Sequence, residues 1–350
     1  MALLEDRQVS AKYREAYCRG VEELVQARRK EADRQRAMYI SPDMLAENPE
    51  KYREDLIKML GWPLTEERTG VPKVTVCEEK PYAEGITMRR LQIEALPGVP
   101  FYGILFLPDG AGARPLVIAQ HGGGGTPEQT ADMHRPNAYR DMTARLVRAG
   151  CVVFAPQLLV WQVNDNEIPG RPGYGLNHNR NQRENELRHL GSGIVAVETY
   201  EIMRSLDYLV TLPQVDARRI GMIGLSYGGL YTQMTAALDK RIGVAVTNVF
   251  FNDRYRYCWH DFSWFGSALR MKDAEICGLI APRALCVHVG RNDALFAVDG
   301  ALLEIERLKP FFAAQNALDR LKIVVSDANH TLSDSGEEME FLQRRLEQME

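Results

Sequence analysis

One hexapeptide constrains the fold of this chain more than any other feature: Gly224-Leu225-Ser226-Tyr227-Gly228-Gly229 fits the pattern G-x-S-x-G. It follows the apolar run Ile220-Gly221-Met222-Ile223 and opens a helical pattern that carries Leu230, Met234 and Leu238. A serine passed from strand to helix in this way sits on a turn so tight that residues 224 and 228 must be small, and the hydroxyl is lifted above the sheet at some backbone strain.

The sequence on both sides of the hexapeptide alternates between the two periods. After Pro115 it predicts strand 116–120, helix 137–148 ended by Gly150, strand 151–155, helix 193–212, strand 220–223 and helix 229–238. Strands 243–247 and 284–289, helix 298–314, strand 321–325 and a C-terminal helix follow. Apolar strands alternating with helices imply an α/β fold with a mostly parallel sheet, helices on both faces and sites at the strand C-termini. From Val71 to Pro108 shorter runs rich in Val, Ile, Thr and Tyr are broken by Pro81, Gly85 and the turn 96–100, which predicts antiparallel strands leading into that sheet.

Residues 1–64 read as a charged helical extension of a main domain at 65–350. Val9, Tyr13, Tyr17, Val21 and Leu24 recur at spacings of four and three, one apolar stripe on a long amphipathic helix. Asn48-Pro49 reads as an N-cap and first residue of a second helix, stopped by Gly61 before Trp62-Pro63. The stripe needs a surface to cover, either the main domain or a second subunit; a homodimer through this segment is the leading expectation.

Composition narrows the partners. The 350 residues are 45% hydrophobic and 26% charged, which suits a folded globular chain rather than a disordered or coiled-coil one. With 43 basic and 47 acidic residues the net charge is −4, so no overall field draws the chain to nucleic acid or anionic lipid. No run approaches the roughly 18 apolar residues of a membrane span, and residues 1–17 lack the apolar core of a signal peptide, so a cytoplasmic location is expected. The six cysteines are scattered without a C-x-x-C pair, and Cys151 and Cys286 lie in apolar runs where they read as reduced core thiols.

A serine hydroxyl is a weak nucleophile and needs a base oriented by a third group, in the chain order Ser, acid, His for this kind of fold. Of seven histidines only His330 lies beyond the last predicted strand, in the loop 327–331. His288 falls inside a strand and reads as a core residue, and His260 falls in an aromatic insertion. The acid should follow the penultimate strand, and Asp293 lies a few residues past its end; Asp299 and Asp327 are the competing carboxylates. His121-Gly122-Gly123-Gly124-Gly125 directly follows strand 116–120. Glycines there let backbone N–H groups approach an oxyanion, so Gly123 and the residue after the nucleophile, Tyr227, are the expected donors. The rival reading as a phosphate cradle lacks its Lys-Ser/Thr, since Thr126-Pro127-Glu128 follows. Neither H-E-x-x-H nor paired-cysteine spacing occurs, so no metal ligand set is expected.

On these residues, and on Ile280-Ala281-Pro282-Arg283-Ala284-Leu285 leading to Asp293, the chain from about 70 to 350 resembles the α/β-hydrolase superfamily. The branch it is most similar to is the one of dienelactone hydrolase-like and acetyl xylan esterase-like enzymes. The resemblance implies cofactor-independent hydrolysis of a carboxylic ester through an acyl-enzyme, with Ser226 as nucleophile, His330 as general base and acid, and Asp293 orienting it. Dienelactone hydrolases proper carry a Cys where this chain has Ser226, and residues before 65 are not part of the minimal fold.

Two insertions leave strand C-termini and should overhang Ser226: 157–191, with Trp161, and 250–275, with Trp259 and Trp264 among many aromatics. His121, Trp161, Trp259 and Trp264 are the expected pocket residues. The expected function is a serine carboxylesterase acting on a small or sugar-linked ester. A serine peptidase of the same fold and a non-catalytic hydrolase-like binding protein are the alternatives.

Overall fold

The structure is a computed structural model that describes residues 4–133, 138–160 and 176–349, with backbone alone for 176–179. Three helices open the chain, α1 (Ala11–Tyr39), α2 (Pro42–Glu47) and α3 (Pro49–Leu60), followed by strands β1 (Lys73–Ala83), β2 (Ile86–Leu96), β3 (Val99–Pro108) and β4 (Arg114–Gln120). Then come α4 (Pro127–Thr130), α5 (Met142–Arg148), β5 (Val152–Pro156), α6 (Leu176–His189), α7 (Ile194–Leu209), β6 (Val215–Leu225) and α8 (Tyr227–Leu238). The chain ends with β7 (Ile242–Asn248), α9 (Asp273–Gly278), β8 (Ala284–Gly290), α10 (Val298–Ala313), β9 (Leu321–Ser326) and α11 (Glu337–Glu347).

The strands form one sheet in the order β1-β2-β3-β5-β4-β6-β7-β8-β9. β1 to β3 are an antiparallel meander, β3 joins β5 antiparallel, and β5, β4 and β6 to β9 are all parallel. Because side chains alternate along a strand, the sheet separates two cores. Leu116 and Ile118 of β4 enter a layer shared with α2, α3 and α7 to α10, whereas Val117 and Ala119 enter one shared with α5 and α11. β6, β8 and β9 run in parallel, so Ser226, Asp293 and His330 all emerge from one edge of the sheet. This is the mostly parallel, doubly covered α/β architecture with antiparallel leading strands that the sequence implies.

Two departures have physical causes. The helix expected from 137 starts at Met142 among the described residues, because Arg140 and Asp141 stand at φ 46° and 56°, outside the helical region. The polar stretch 157–191 contains a helix, α6, that periodicity could not announce: its only large apolar residues are Leu176 and Leu187. Among the described residues no helix is long and apolar enough to cross a membrane. Cys151, Cys277 and Cys286 are buried and unpaired, and Cys18, Cys77 and Cys258 are exposed.

The N-terminal helices differ from one another in how they dock. Leu45 of α2 and Tyr52, Leu56 and Leu60 of α3 join the main core. Among the described residues α1 is tied down from Arg29 onward: Arg29 donates to the Tyr255 carbonyl at 3.0 Å, and Arg36 donates from Nε to Glu275 Oε1 at 3.1 Å and from Nη1 to the Ala268 carbonyl at 2.8 Å. Residues 11–28 are exposed, with Tyr13, Tyr17 and Leu24 at 65%, 78% and 60% of full exposure, so the apolar stripe covers nothing among the described residues. Tyr13, Tyr17, Gly20, Leu24 and Ala27 follow at gaps of four and three, the spacing of a two-helix seam, and a parallel pairing brings Glu23 opposite Arg28 of the second helix. The expected outcome is a dimer in light scattering of the full chain, converted to a monomer by Tyr17→Glu/Leu24→Glu; a monomeric full chain would show that the stripe stays in water.

Candidate active site

Ser226 stands between the last residue of β6 and the first of α8 with φ 58° and ψ −120°, a left-handed conformation that costs a non-glycine residue about 1–3 kcal/mol. Packing enforces it. A Cβ at Gly224 would overlap the carbonyl of Gly228, and one at Gly228 would overlap the carbonyl of Gln120 at the end of β4. Asn248, at the end of β7, ties both sides of the turn: its carbonyl accepts the Ser226 N–H at 2.9 Å, and its Nδ2 donates to the Gly224 carbonyl at 2.9 Å.

His330 comes from the loop after β9, and its Nδ1 lies 2.8 Å from Oδ2 of Asp293, which follows β8. The other carboxylate oxygen, Oδ1, accepts the N–H groups of Leu295 at 2.8 Å and Phe296 at 3.1 Å. Burial alone would raise the Asp293 pKa, but the bonds from His330 and from these two amides hold it below the ordinary aspartate value. It is therefore an ionised carboxylate aimed at the imidazole. The competing carboxylates are elsewhere: Asp299 pairs with Arg256 and Asp327 with Arg291, both largely in solvent. His288 is a buried strand residue whose Nε2 meets Ser326 Oγ at 2.8 Å, and His260 offers its carbonyl to Arg188.

The glycine loop after β4 lies against the nucleophile. A Cβ added at Gly122 would come within 3.0 Å of Ser226 Cβ, and one at Gly123 within 3.2 Å of the Tyr227 ring. Its N–H groups can be accounted for one by one. Gly122 donates to Tyr139 Oη at 2.9 Å, Gly124 to the Val160 carbonyl, and Gly125 to the Gly122 carbonyl at 3.1 Å. The Gly123 N–H, like that of Tyr227 at the first position of α8, has no acceptor among the described residues. Two such donors flanking Ser226 are what an oxyanion requires.

His121, expected in the pocket, is instead fully buried beneath the loop. Its Nδ1 faces the Gly122 carbonyl at 2.8 Å, while Nε2 accepts the Leu158 N–H at 2.9 Å, so both ring nitrogens are spent on holding the loop against the segment that follows β5. Desolvation drives its pKa down to about 4, partly offset by the bond to Gly122 and the charge of Glu128. Trp161 lies outside the described residues. Trp259, partly exposed, stacks on Phe262 at 5.0 Å; Phe262 in turn meets the Tyr227 ring at 4.9 Å, and Phe296 connects Phe262 to His330 at 6.5 and 5.7 Å. Trp264 faces a different cavity of about 480 Å³, lined also by Met59, Leu60, Glu184, Arg188 and Phe265. Sequence reasoning missed Tyr139 and Phe296, each one aromatic among many with no pattern to mark it. Among the described residues no group of three His, Cys, Asp or Glu could hold a metal ion.

Comparison with known proteins places the chain in a family and supports the fold. Residues 101–338 match the sequence profile of the dienelactone hydrolase family. A protein of Bacillus subtilis (strain 168) named as hydrolase YtaP is 31% identical over 187 residues, which are 49% of this chain and 62% of that protein, so the chain spans about three fifths of that relative's length. Among solved structures, a Bacteroides fragilis NCTC 9343 protein described as an acetyl xylan esterase superposes with a TM-score of 0.66 at 16% identity, over 82% of this chain and 76% of that one. A glucuronoyl esterase from Solibacter usitatus gives 0.60 at 17% identity, over 85% and 93%. At such identities these two likenesses establish the fold.

The buried His121 generates a pH prediction. An unfolded histidine titrates near 6.5 and this one near 4, so between those values the unfolded chain binds a proton that the native chain does not. Native stability should therefore fall as pH drops from about 6.5 to 4, by on the order of 3 kcal/mol from this residue. His288, whose pKa is also lowered by burial, adds to the wild-type slope but cancels in a comparison with His121→Gln. Denaturant unfolding at several pH values should show the variant losing less stability than wild type across that window; a difference independent of pH would refute the assignment of the slope to His121.

Proposed function

This chain belongs to the dienelactone hydrolase family of the α/β-hydrolase superfamily, and from that premise and the geometry around Ser226 we propose that it is a serine carboxylesterase acting through an acyl-enzyme. The observation that carries the reading is the conjunction of the strained Ser226 elbow, the Gly123 and Tyr227 N–H groups beside it, which have no acceptor among the described residues, and the 2.8 Å His330–Asp293 contact at the same sheet edge.

In this reading His330 Nε2 takes the proton of Ser226 as Oγ adds to the ester carbonyl. The carbonyl oxygen becomes an oxyanion that the N–H groups of Gly123 and Tyr227 receive. Collapse breaks the bond to the alkoxy group, which leaves as the alcohol with the proton from His330 and leaves Ser226 acylated. Water then adds to the acyl carbon, giving a proton to His330, and collapse breaks the bond to Oγ, which takes that proton back as the carboxylic acid leaves. Asp293 accepts a hydrogen bond from the Nδ1–H throughout, keeping Nε2 free to act as base and stabilising the imidazolium when it forms. Hydrolase and esterase descriptions among the related proteins support this class. The sugar-ester enzymes among the structural neighbours, and the Trp259–Phe262 wall, support a small or sugar-linked ester as substrate. A non-catalytic role would leave both the strain at Ser226 and the N–H pair without a use.

Turnover of p-nitrophenyl acetate, set beside a panel of aminoacyl anilides, tests the esterase reading against the peptidase and binding-protein readings. Ser226→Ala and His330→Ala should each lower kcat by roughly 10⁴ to 10⁶ with the fold intact, and Ser226→Ala/His330→Ala should be no worse than either alone, because the members act as a unit. Ester turnover that survives Ser226→Ala would end the assignment. Asp293→Asn should lower kcat by about 10⁴ by favouring the wrong imidazole tautomer. Full activity there, with loss in Asp299→Asn or Asp327→Asn, would move the acid.

A further inference from the structure

We propose that Arg180 is a positioning residue of the oxyanion hole: from α6, in the first insertion, it holds the two donor segments, Gly123 and Tyr227, in mutual register by two separate routes. The inference rests on the esterase reading above, since it assigns Arg180 a part in that reaction.

Arg180 is almost fully buried where four parts of the chain converge. Its Nε donates to Asp261 of the second insertion, Nη1 to Glu198 Oε2 of α7 at 3.0 Å, and Nη2 to Tyr231 Oη of α8 at 2.8 Å. Tyr231 also donates to Glu198. The first route runs through Glu198. Its second oxygen, Oε1, accepts the Leu159 N–H at 2.6 Å, the adjoining Val160 carbonyl accepts the Gly124 N–H, and the preceding Leu158 N–H holds His121 at 2.9 Å. Arg180 thus fixes the segment 158–160 that fixes the glycine loop on both sides of Gly123.

The second route runs through the Tyr227 ring. The guanidinium carbon lies 4.9 Å from the ring centroid, Phe262 meets the ring edge-to-face at 4.9 Å, and Gly123 backs onto Cδ2 closely enough that an added Cβ would be 3.2 Å away. Tyr227 therefore supplies one donor from its backbone and braces the other with its side chain. Only an arginine can serve all these partners, because a planar fork donates in three directions while presenting its face to an aromatic ring. A lysine ammonium reaches one or two of them.

Arg180, Asp261, Glu198 and Tyr231 act through Tyr227 and the glycine loop rather than on the ester itself, so their effect is on the aim of the donors. Such aim matters where charge develops, in the transition state, and little in binding the ester. The test is Arg180→Lys, which keeps the buried charge but loses the fork, measured for kcat and KM on p-nitrophenyl acetate. Two ketones separate positioning from general damage. An aryl trifluoromethyl ketone adds to Ser226 and carries an oxyanion, whereas the matching methyl ketone binds without one.

The expected result is a kcat lower by about 10- to 100-fold with KM within about threefold, an equal weakening of trifluoromethyl ketone inhibition, and unchanged methyl ketone inhibition; removal of a whole donor costs roughly 10²–10³. Unchanged kcat, or equal weakening of both ketones, overturns the proposal. If Arg180→Lys fails to fold, Asp261→Asn, which leaves the guanidinium bonded to Glu198 and Tyr231, should give a smaller loss with the same ketone signature, and absence of that signature likewise overturns it. A wild-type chain that neither turns over the ester nor binds the trifluoromethyl ketone would instead point to failure of the esterase reading itself.

Discussion

The left-handed backbone at Ser226 is the constraint to which the rest of the site is fitted. Nothing in a serine favours φ 58°, and the strain persists only because the surroundings leave no alternative. The ends of β4 and β7 press on the turn through Gln120 and Asn248, and the Gly228 carbonyl fills the space a side chain at 224 would need. Three neighbouring parallel strands must therefore be in register before the serine can be exposed. The same register delivers the glycine loop from the end of β4, and the loops with Asp293 and His330 from the ends of β8 and β9.

Two histidines have been given opposite electrostatic surroundings, His121 by burial under the glycine loop and His330 by a carboxylate. His121 is sealed from water, with one nitrogen facing a carbonyl and the other accepting an amide, so a second proton there would lose a hydrogen bond as well as hydration. His330 keeps partial exposure and is joined through Nδ1 to a carboxylate whose ionised state is secured by two backbone amides. That arrangement leaves Nε2 available for the proposed role as base. A histidine beside a glycine run is thus better read as a clamp on the run than as a wall of the pocket, and the sequence alone carried no sign of which nitrogen partners awaited it.

The sheet was legible because its signals are local: apolar runs, the glycine at 150 and the hexapeptide at 224–229 each specify their own stretch of backbone. Ser226, Asp293 and His330 could be singled out on the same ground, since each follows a strand and strand order in the chain decides which edge a loop reaches. Residues whose place depends on tertiary approach were not legible. Tyr139 is one aromatic residue among many until the fold sets its hydroxyl under the Gly122 N–H, and Trp264 and Trp259 look alike in sequence although only Trp259 belongs to the aromatic wall that reaches Tyr227 and His330. Helix α6 was illegible for a related reason, because it has too few apolar residues to show a buried face.

The additions to the minimal fold share a solution to that shortage. Arg36 of α1, Arg53 of α3 and Arg180 of α6 are each buried, and each spreads its fork over several acceptors on other elements. Arg36 reaches Glu275 and the Ala268 carbonyl, Arg53 the carbonyls of Ala237 and Leu279, and Arg180 the groups of Glu198, Asp261 and Tyr231. Burying a guanidinium costs desolvation that such bonds largely offset, so these contacts contribute less to stability than to orientation: several donors on one rigid plane admit a single docking geometry. Helix α3 supplements its arginine with Tyr52, Leu56 and Leu60 and becomes part of the core. Helix α1 adds only Ala32 and Tyr39 near its end, and ahead of Arg29 its apolar stripe is uncovered among the described residues. Helix α6 carries still less apolar surface, and among the described residues it docks through polar side chains: Arg180 on Glu198, Asp261 and Tyr231, Glu184 on the Ile194 N–H, and Arg188 on the carbonyls of His260 and Ser263.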